Sequence, residues 1–524
     1  MDVNANIVAR LELLASAHAD RVAIVEQRGG KRREITFGAL GERVRALSAG
    51  VRSRGIVAGD AVVIFIPMSI DLYVALLAVL HAGAMAVFVD AWSGSRRIET
   101  AINLSRPRAF IGTPRSFLLR WTRRRIREVP VALMAGRRFL ELSRHERRDS
   151  GTSAPAVVGP DTTAVVTFTT GTTGQPRGAV RSHGFLWQQH VALKEHMHLR
   201  ESDVDMPTLP IFVLNNLAIG ARTVLPDFDP RRPADIDAAR IVAQMEREGV
   251  TTSTGSPVFF DRLLAWCEMQ GRPLPLRAAF TGGAPVPVSL ARRMAGPLIS
   301  GEGHVVFGST EVEPVSGIRA ADYAAVLETD PPRRPIGLCV GHPVPQLDVR
   351  LIEVVDGPLP PERDLASLTV PAGQIGEIVV CGAHVLPSYL NDDVANRETV
   401  RIEGGRLWRR TGDCGSVDQN GRLWLVGRLS QRVRKAGGAL WPIPVEMDAV
   451  ATGLVRHAAL LSLGERAVLC VEAPAGLTVD QMNVLRQAVD RWRLDEIIEL
   501  PKIPRDPRHH TKTDLVALRH MLAK

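Results

Sequence analysis

The chain has 524 residues, of which 45% are hydrophobic and 23% charged, and its formal net charge is +9. These totals are typical of a soluble globular protein, and the length exceeds what one ordinary core supports, so we expect two or more domains. The basic excess is modest for so long a chain, so we expect a solvated surface and no nucleic-acid partner.

The five cysteines are scattered, and the sequence has neither a CxxC pair nor a histidine cluster at metal-ligand spacing. This distribution argues against a zinc site and against a disulfide framework, and it suits a reducing cytosol. The N-terminal segment lacks a basic stretch followed by an apolar core, so we expect no signal peptide and a cytoplasmic location.

Short β-branched runs alternate with helical segments from Ala23 to about Ile352. Five of these runs are predicted to be buried strands, namely Val62–Pro67, Ala84–Asp90, Ala164–Thr170, Ala278–Ala284 and His304–Thr310. Apolar strands separated by helices are typical of parallel sheets that are covered on both faces. The pattern therefore predicts an α/β fold for this part of the chain.

One apolar run, Tyr73 to Asp90, could be a transmembrane segment or part of the core of a globular domain. It is short for a span, it is interrupted by His81 and Gly83, and it ends on an acidic residue. A buried helix, a glycine turn and a buried parallel strand explain it better. We therefore expect no transmembrane segment.

The densest basic segment is RWTRRRIREV, from Arg120 to Val129. A charge run of this kind is most often a solvated face, and we interpret it so. An acidic partner or a membrane face is the alternative interpretation.

After Ile352 the alternation of apolar strands and helices gives way to a different pattern. Gly376–Gly382 and Gly421–Arg428 are predicted to be antiparallel strands around turns such as DQNG. The last hundred residues are predicted to form a small α/β piece that begins near Gly427. The sequence shows no internal repeat and no low-complexity linker.

The segment TFTTGTTGQPRGAV, from Thr167 to Val180, is dense in threonine and glycine and follows a predicted strand. The packing of a hydrophobic core does not explain this composition, because glycine weakens helices and strands and threonine brings polar groups. Backbone N–H groups and hydroxyls in such a loop can converge on phosphate oxygens. The spacing is not that of a Walker loop, since no Gly-Lys-Ser/Thr follows Gly174 at the right distance.

With its neighbours, this segment resembles the phosphate loop of the adenylate-forming superfamily of acyl-CoA synthetases, luciferases and peptide-synthetase adenylation domains. Three further segments resemble family motifs in the family's order: GGAPV at Gly282, FGSTE at Phe307 and RTGDCGSVDQNGRLWLVGR at Arg410. The resemblance covers nearly the whole chain. It implies a large N-terminal domain of two parallel-rich sheets and a distorted β-barrel, with a small mobile α+β lid. The implied domains are 1–427 and 428–524.

The chemistry that the resemblance implies brings a carboxylate to the α-phosphate of ATP. At about 4 Å and an effective dielectric near 20, each pair of like charges repels by roughly 4 kcal/mol, so cations and oriented donors must offset it. Donors around the β- and γ-phosphates would come from Thr169, Thr170, Gly171, Thr172, Thr173 and Gly174. Glu311 would bind Mg²⁺ as a hard oxygen ligand, and Thr310 would bond the α-phosphate.

The same resemblance assigns the nucleoside side. Gly282, Gly283 and Ala284 would flank the adenine, together with Phe307, Gly308 and Ser309. Asp413, in a TGD turn, would accept both ribose hydroxyls, and Arg428 would reach the ribose or a phosphate. Lys512 matches the family's C-terminal lysine, whose compact charge on a flexible stem suits the carboxylate and α-phosphate oxygens.

Three positions depart from the family pattern. The phosphate loop ends Pro-Arg-Gly, so Arg177 stands where lysine is usual, which retains charge but changes geometry. Ser430 stands at the hinge position that is usually Asp or Lys. Val213 stands where many acyl-CoA synthetases have a histidine that gates the thioester half-reaction, which weakens the case for CoA.

The C-terminal segment IPRDPRHHTK, from Ile503 to Lys512, resembles the subgroup of β-lactone synthetases of bacterial olefin biosynthesis. Those enzymes adenylate a β-hydroxy acid, whose own hydroxyl then displaces AMP. An acyl pocket for a hydrophobic acid would be lined by Val213, Asn215, Gly255 and Ser256. His509 and His510 would act as a base in that step, or would be solvated.

Two alternatives remain open on the sequence. The first is an acyl-CoA ligase, with Gly437 and Gly438 along a pantetheine path, or a related enzyme that transfers the acyl group to an amine or a carrier protein. The second is a nucleotide-binding scaffold without catalysis, against which the joint presence of Glu311, Asp413 and Lys512 argues. Besides the acid substrate, the expected partners are other enzymes or a carrier protein of a biosynthetic pathway.

Overall fold

The computed structural model describes residues 4–89, 95–135, 154–170, 176–228, 235–328, 336–435, 438–505 and 512–523, with the backbone alone for 95–97, 169–170 and 328. The helices are α1 Val8–Ala17, α2 Phe37–Ser53, α3 Ile70–His81, α4 Ser95–Ser105, α5 Pro114–Thr122, α6 Arg124–Arg127, α7 His183–Met197, α8 Pro210–Ile219, α9 Ala238–Glu248, α10 Pro257–Gln270, α11 Val288–Ala295, α12 Ala320–Glu328, α13 Leu365–Leu368, α14 Asp393–Thr399, α15 Pro442–Ala451, α16 Val479–Val489 and α17 Leu515–Leu522.

The strands are β1 Val22–Arg28, β2 Lys31–Thr36, β3 Ala61–Phe65, β4 Met85–Phe88, β5 Ala109–Gly112, β6 Val131–Met134, β7 Thr163–Thr170, β8 Pro176–Ser182, β9 Val204–Pro207, β10 Arg222–Leu225, β11 Thr252–Gly255, β12 Ala278–Gly282, β13 Glu302–Ser309, β14 Val312–Arg319, β15 Leu338–Pro343, β16 Asp348–Ile352, β17 Gly376–Cys381, β18 Ser388–Tyr389, β19 Val400–Glu403, β20 Arg406–Val417, β21 Leu423–Arg428, β22 Val433–Lys435, β23 Gly438–Leu440, β24 His457–Leu463, β25 Arg466–Glu472 and β26 Glu496–Leu500.

The larger sheet joins a parallel half to an antiparallel half. Its order is β16-β17-β20-β21-β15-β14-β13-β12-β11-β9-β10-β1-β2, with β19 on β20. The strands β10, β9, β11, β12 and β13 run parallel to one another, whereas β14 to β21 pair antiparallel. The strands expected as a distorted barrel form this antiparallel half, and within the described residues they do not close on themselves.

The second sheet has the order β18-β8-β7-β4-β3-β5-β6, and its strands β7, β4, β3, β5 and β6 are parallel. All five runs predicted as buried strands are strands of these two sheets, and the α/β fold class is confirmed. The helix α3 is buried along its length between the sheets and α2, because nearly every one of its side chains is apolar.

Within the apolar run from Tyr73 to Asp90, the described residues form the end of α3, a glycine turn and β4, and not one membrane-spanning helix. Ser69 caps the N-terminus of α3, because its hydroxyl accepts a hydrogen bond of 3.2 Å from the Leu72 N–H. It ends before Gly83, whose φ of 78° allows the turn into β4. The described residues contain no helix long and apolar enough to cross a membrane.

The C-terminal residues form a third sheet with its own core. The strands β24, β25 and β26 pair side by side, and α15 and α16 cover one face through Val445, Leu485 and Val489. The helix α17 packs on the other face through Leu518. All five cysteines are buried and unpaired.

Candidate active site

The carboxyl ends of four parallel strands meet at one edge of the larger sheet. The register places Gly255 of β11 beside Thr281 of β12, and Gly282 beside Val306 of β13. The connection between β9 and α8 lies beside them, because the Thr208 N–H donates to the Thr254 carbonyl at 2.8 Å. In open α/β sheets, ligands bind at the carboxyl ends of the strands.

Glycine is required at the predicted adenine-side segment for two different reasons. A Cβ added at Gly282 would lie 2.3 Å from the carbonyl oxygen of Val306, so no other residue leaves the β12–β13 pairing intact. Gly283 has a φ of 76°, in the left-handed region that favours glycine. The chain turns sharply here, and Ala284 follows the turn.

Glu311 lies in the tight connection between β13 and β14. Its N–H donates to the Ser309 hydroxyl at 3.2 Å, and its carbonyl accepts a hydrogen bond of 2.7 Å from the Leu386 N–H. Its carboxylate Oε1 accepts a hydrogen bond of 2.7 Å from the Tyr389 hydroxyl. Burial alone would raise its pKa, but this bond and the charge of Arg409 keep the pKa of Glu311 below its usual value. The carboxylate is therefore ionised.

Tyr389 and Arg409 are site residues that sequence reasoning missed. The Arg409 guanidinium lies 4.5 Å from the centre of the Tyr389 ring, and Arg177 lies on the ring at 5.6 Å. Arg409 is buried and donates to the Leu386 carbonyl at 2.7 Å, while its Nε and Nη2 have no partner among the described residues. Burial beside Glu311 raises the pKa of Tyr389 to about 12, so its hydroxyl stays a donor.

Thr310 is held by a second buried cation that sequence reasoning missed. The Arg181 guanidinium on β8 donates to the Thr310 carbonyl at 3.1 Å, which ties the second sheet to the Thr310–Glu311 turn. Burial lowers the pKa of Arg181, and the nearby charges of Glu313 and Glu311 oppose that shift. Arg181 directly precedes Ser182 outside every motif found in the sequence, so no sequence pattern indicated this contact.

Asp413 and Arg428 face each other across β20 and β21, where they are register partners. Arg428 Nε lies 3.1 Å from Asp413 Oδ1. Burial raises the pKa of Asp413 above its usual value, and the positive charges of Arg428 and Lys512 act against that shift. Lys512, from the C-terminal segment, is thus within electrostatic reach of the carboxylate predicted to bind ribose, although it is 99 residues away in sequence.

The segment that carries Lys512 is fixed by its neighbours. Thr513 forms a hydrogen bond with His457 of β24, with 3.0 Å between Thr513 Oγ1 and the ring Nε2. The backbone of Thr513 also pairs with that of Arg505 in an isolated antiparallel β-bridge. Asp514 caps α17, since its Oδ1 accepts from the Ala517 N–H at 2.9 Å. Lys512 itself is exposed to solvent.

Several predicted residues lie outside the described part. Gly171, Thr172, Thr173 and Gly174 of the phosphate loop do, as do Gly437, His509 and His510, and only the backbone of Thr169 and Thr170 is described, in β7. Arg177 is the second residue of β8 and lies near two acidic side chains, 3.6 Å from Asp392 and 4.0 Å from Glu398. Its charge is therefore partly offset in the protein itself.

The residues predicted for the acyl pocket do not share one environment. Val213 is fully buried in the core, and the Ser256 hydroxyl caps α10 by accepting from the Phe259 N–H at 3.3 Å. Gly255 is required where it is, because a Cβ would lie 2.6 Å from the Phe259 ring. Asn215 lines a mostly apolar cavity of about 50 Å³ between α1, α3, α7 and α8.

The polar atoms around this cavity are incompletely bonded. Asn215 Oδ1 lies 2.9 Å from His190 Nδ1, while Asn215 Nδ2 and both amide atoms of Gln189 have no partner among the described residues. Leucine and isoleucine side chains form most of the remaining wall. At about 50 Å³ the cavity is far smaller than the roughly 300–1,000 Å³ of a typical ligand pocket, so it has room only for a short apolar end of a bound group.

The donor set at Glu311 is compatible with Mg²⁺. The described residues contain no group of three or more His, Cys, Asp or Glu that could hold a metal by itself. Mg²⁺ commonly binds through one or two carboxylates plus substrate phosphates, and an ionised glutamate oriented by Tyr389 provides such a carboxylate. Glu311 would hold the ion only together with phosphate oxygens.

The sheet edge, the glycine turn and the Asp413–Arg428 pair define a nucleotide-dependent enzyme of the adenylate-forming fold. The sequence profile of the family described as AMP-binding enzyme matches residues 11–390, and the chain belongs to this family. An olefin beta-lactone synthetase of Xanthomonas campestris pv. campestris is 33% identical, over 92% of this chain and 90% of its own. One of Stenotrophomonas maltophilia is 32% identical, over 97% of this chain and 96% of its own.

Other relatives carry CoA-ligase names. A 3-[(3aS,4S,7aS)-7a-methyl-1,5-dioxo-octahydro-1H-inden-4-yl]propanoyl:CoA ligase of Rhodococcus jostii is 26% identical over 90% of this chain and 91% of its own. Among solved structures, ATP-bound MatB from Rhodopseudomonas palustris superposes with a TM-score of 0.80 at 22% identity, covering 99% of both chains. That likeness confirms the fold.

Proposed function

We propose that the protein activates a hydrophobic carboxylic acid with ATP and then closes a β-hydroxy acyl adenylate to a β-lactone. The observation that carries the first step is the ion pair of 3.1 Å between Arg428 and Asp413, which lies within electrostatic reach of Lys512 and Glu311. A site that gathers two cations and an ionised glutamate is arranged for anionic phosphates and a carboxylate, and the family membership of the chain supports ATP as the nucleotide.

Each residue has a defined task in the first step. The carboxylate oxygen of the acid attacks the α-phosphorus, the new P–O bond forms, and pyrophosphate leaves with the electrons of the broken P–O bond. Lys512 draws the acid and an α-phosphate oxygen together, and Thr310, positioned by Arg181, bonds the same phosphate. Asp413 accepts the ribose hydroxyls. Mg²⁺ bound at Glu311 would neutralise phosphate charge.

The second step needs no external acceptor. The β-hydroxyl oxygen attacks the acyl carbon, the C–O bond of the mixed anhydride to AMP breaks, and AMP leaves with the electron pair while the hydroxyl proton goes to solvent or to a nearby base. The 33% and 32% identical olefin beta-lactone synthetases support this version. The apolar Val213, fully buried where many CoA ligases have a histidine, also supports it.

The proposal includes two domains, 1–427 and 428–524, of which the second is a mobile lid that carries Lys512. Lys512 must approach the phosphates for adenylation, and the lid must open or turn for products to leave. Gly427, at the proposed boundary, has a φ of 141°, in the region that favours glycine.

An acid panel with and without CoA tests the proposal. We expect pyrophosphate release with ATP and long β-hydroxy acids in the absence of CoA, and mass spectrometry should detect a product lighter than the acid by one water. A CoA thioester, with AMP release that depends on CoA, would instead establish the ligase activity that the Rhodococcus jostii relative suggests. Absence of pyrophosphate release with every acid would contradict adenylation itself.

A further inference from the structure

An apolar stripe is exposed to solvent on α5, whose end overlaps the most basic segment of the chain, Arg120–Val129. Leu118 is 62% exposed and Trp121 is 82% exposed. With Pro114 they are spaced by four and three residues, so they share one face of the helix. Ser116, on the opposite side, is buried. Core packing therefore does not explain the large apolar side chains at 118 and 121.

Exposed guanidinium groups surround this stripe. The side chain of Arg124 is 87% exposed and that of Arg125 is 57% exposed, and both share a single acidic neighbour, Glu128, at 2.7 and 3.4 Å. Arg115, one turn before Leu118, is also exposed, and the described residues record no ion pair for it. The surface therefore carries a net positive charge.

Two further arginines fix the shape of this surface. Arg120 donates to the Val129 carbonyl at 3.3 Å, and Arg127 donates to the Trp121 carbonyl at 3.2 Å. These bonds join α5 to α6 and hold the Trp121 backbone in place. A carbonyl does not neutralise a guanidinium, so both charges add to the positive field.

We propose that this surface, the α5–α6 patch of Pro114, Arg115, Leu118, Trp121, Arg124 and Arg125, binds an anionic lipid bilayer. An exposed tryptophan and leucine flanked by arginines are typical of segments that lie in the membrane interface, with the apolar face inserted below the headgroups. The nine residues of α5 are too few to cross a bilayer, so the helix would lie in the plane of the interface.

Charge complementarity and the apolar stripe together favour a lipid surface over the other acidic partners. A nucleic acid would engage the arginines but would gain little from burying Leu118 and Pro114. Soluble phosphate would engage neither apolar side chain. The proposal stands on the patch itself and does not depend on the reaction that the enzyme catalyses.

Vesicle binding of the full-length protein tests the proposal. We expect sedimentation with vesicles of phosphatidylcholine and phosphatidylglycerol, weak binding to pure phosphatidylcholine, and loss of binding at high salt because screening shortens electrostatic reach. Trp121→Ser should lower the partition coefficient at least about tenfold. Arg124→Gln and Arg125→Gln should each lower it about fivefold.

Matched variants separate the patch from general surface effects. Trp187→Ser changes another exposed tryptophan, and Arg262→Gln another exposed arginine, and both should bind like the wild type. Lipids with brominated acyl chains should quench part of the tryptophan fluorescence of the wild type, and Trp121→Ser should lose that quenched part. Equal binding by Trp121→Ser and the wild type would overturn the proposal, as would binding to an oligonucleotide in preference to anionic vesicles.

Discussion

The Tyr389 hydroxyl donates a hydrogen bond of 2.7 Å to the Glu311 carboxylate, across 78 residues of sequence and between the two large sheets. Tyr389 lies on β18, at the edge of the second sheet, and Glu311 follows β13 of the larger one. The bond therefore orients the proposed magnesium ligand and links the two sheets at the site.

Removal of this hydroxyl should weaken the use of Mg²⁺. In Tyr389→Phe, Glu311 keeps its charge but loses its orienting donor, and such outer contacts commonly contribute 10- to 100-fold to metal affinity or activity. We expect the Mg²⁺ concentration for half-maximal pyrophosphate release to rise about tenfold. Tyr323→Phe removes another buried hydroxyl, bonded to the Val286 carbonyl at 2.9 Å, and should leave the Mg²⁺ dependence unchanged. An unaltered Mg²⁺ curve in Tyr389→Phe would argue against this role.

A buried ion pair lies three residues before Asp413 on β20, so the TGD segment expected as a turn is part of a strand. Arg410 Nη2 lies 2.6 Å from Glu377 Oε2, and both side chains are almost completely buried. Arg410→Met should lower the free energy of unfolding by about 3–5 kcal/mol, because it leaves Glu377 as an unpaired buried charge. The double variant with Glu377→Leu should recover much of this loss.

Chemical denaturation measures both variants of this pair. Arg406→Gln, which removes a cation from an exposed pair with Asp348, should change the free energy of unfolding by no more than about 1 kcal/mol. A single Arg410→Met variant as stable as the wild type would contradict the assignment.

The C-terminal segment should lose stability in mild acid. Burial lowers the pKa of His457 to about 4, from 6.5 in an exposed histidine. The folded state therefore stays neutral where the unfolded state binds a proton, so the stability is present above pH 6.5 and is lost as the pH falls toward 4. Between about pH 7 and about pH 5 this amounts to about 2 kcal/mol.

Melting temperatures across that pH range check the effect. His457→Gln should flatten the decline in Tm, and His520→Gln, at an exposed position on α17, should retain it. An identical decline in His457→Gln and the wild type would show that other groups cause it.

The cavity beside Asn215 should set the preferred length of the acid. Asn215→Trp would fill it, so kcat/KM should fall at least tenfold for long acids and little for short ones, since each buried methylene contributes about 0.8 kcal/mol. Gln188→Trp, on the exposed face of α7, is the matched control. Equal losses for all chain lengths would mean that the cavity does not receive the acyl chain.

The strands and the family motifs could be predicted because they rest on local patterns. The apolar runs gave β3, β4, β7, β12 and β13, and the glycines at 282 and 283 marked a turn that only they allow. The family motif marked Asp413 and Arg428 separately, and only the antiparallel register of β20 and β21 shows that they pair.

Long-range packing decided the features that could not be predicted. No sequence motif marked Arg181 or Arg409, yet the fold buries both beside Thr310 and Glu311. Val213 and Ser256 were predicted to line the acyl pocket from their motif positions, but their surroundings depend on how α8 and α10 pack. No local pattern reports such contacts.

The proposed role of Lys512 is tested most directly by the rate of acid-dependent pyrophosphate release in a single turnover, without CoA. Lys512→Ala should slow this step by about 10²–10³-fold, the usual loss when one electrostatic stabiliser of the transition state is removed. Lys502→Ala, at an exposed lysine ten residues earlier in the chain, should react at the wild-type rate. An undiminished rate in Lys512→Ala would contradict the proposed adenylation mechanism.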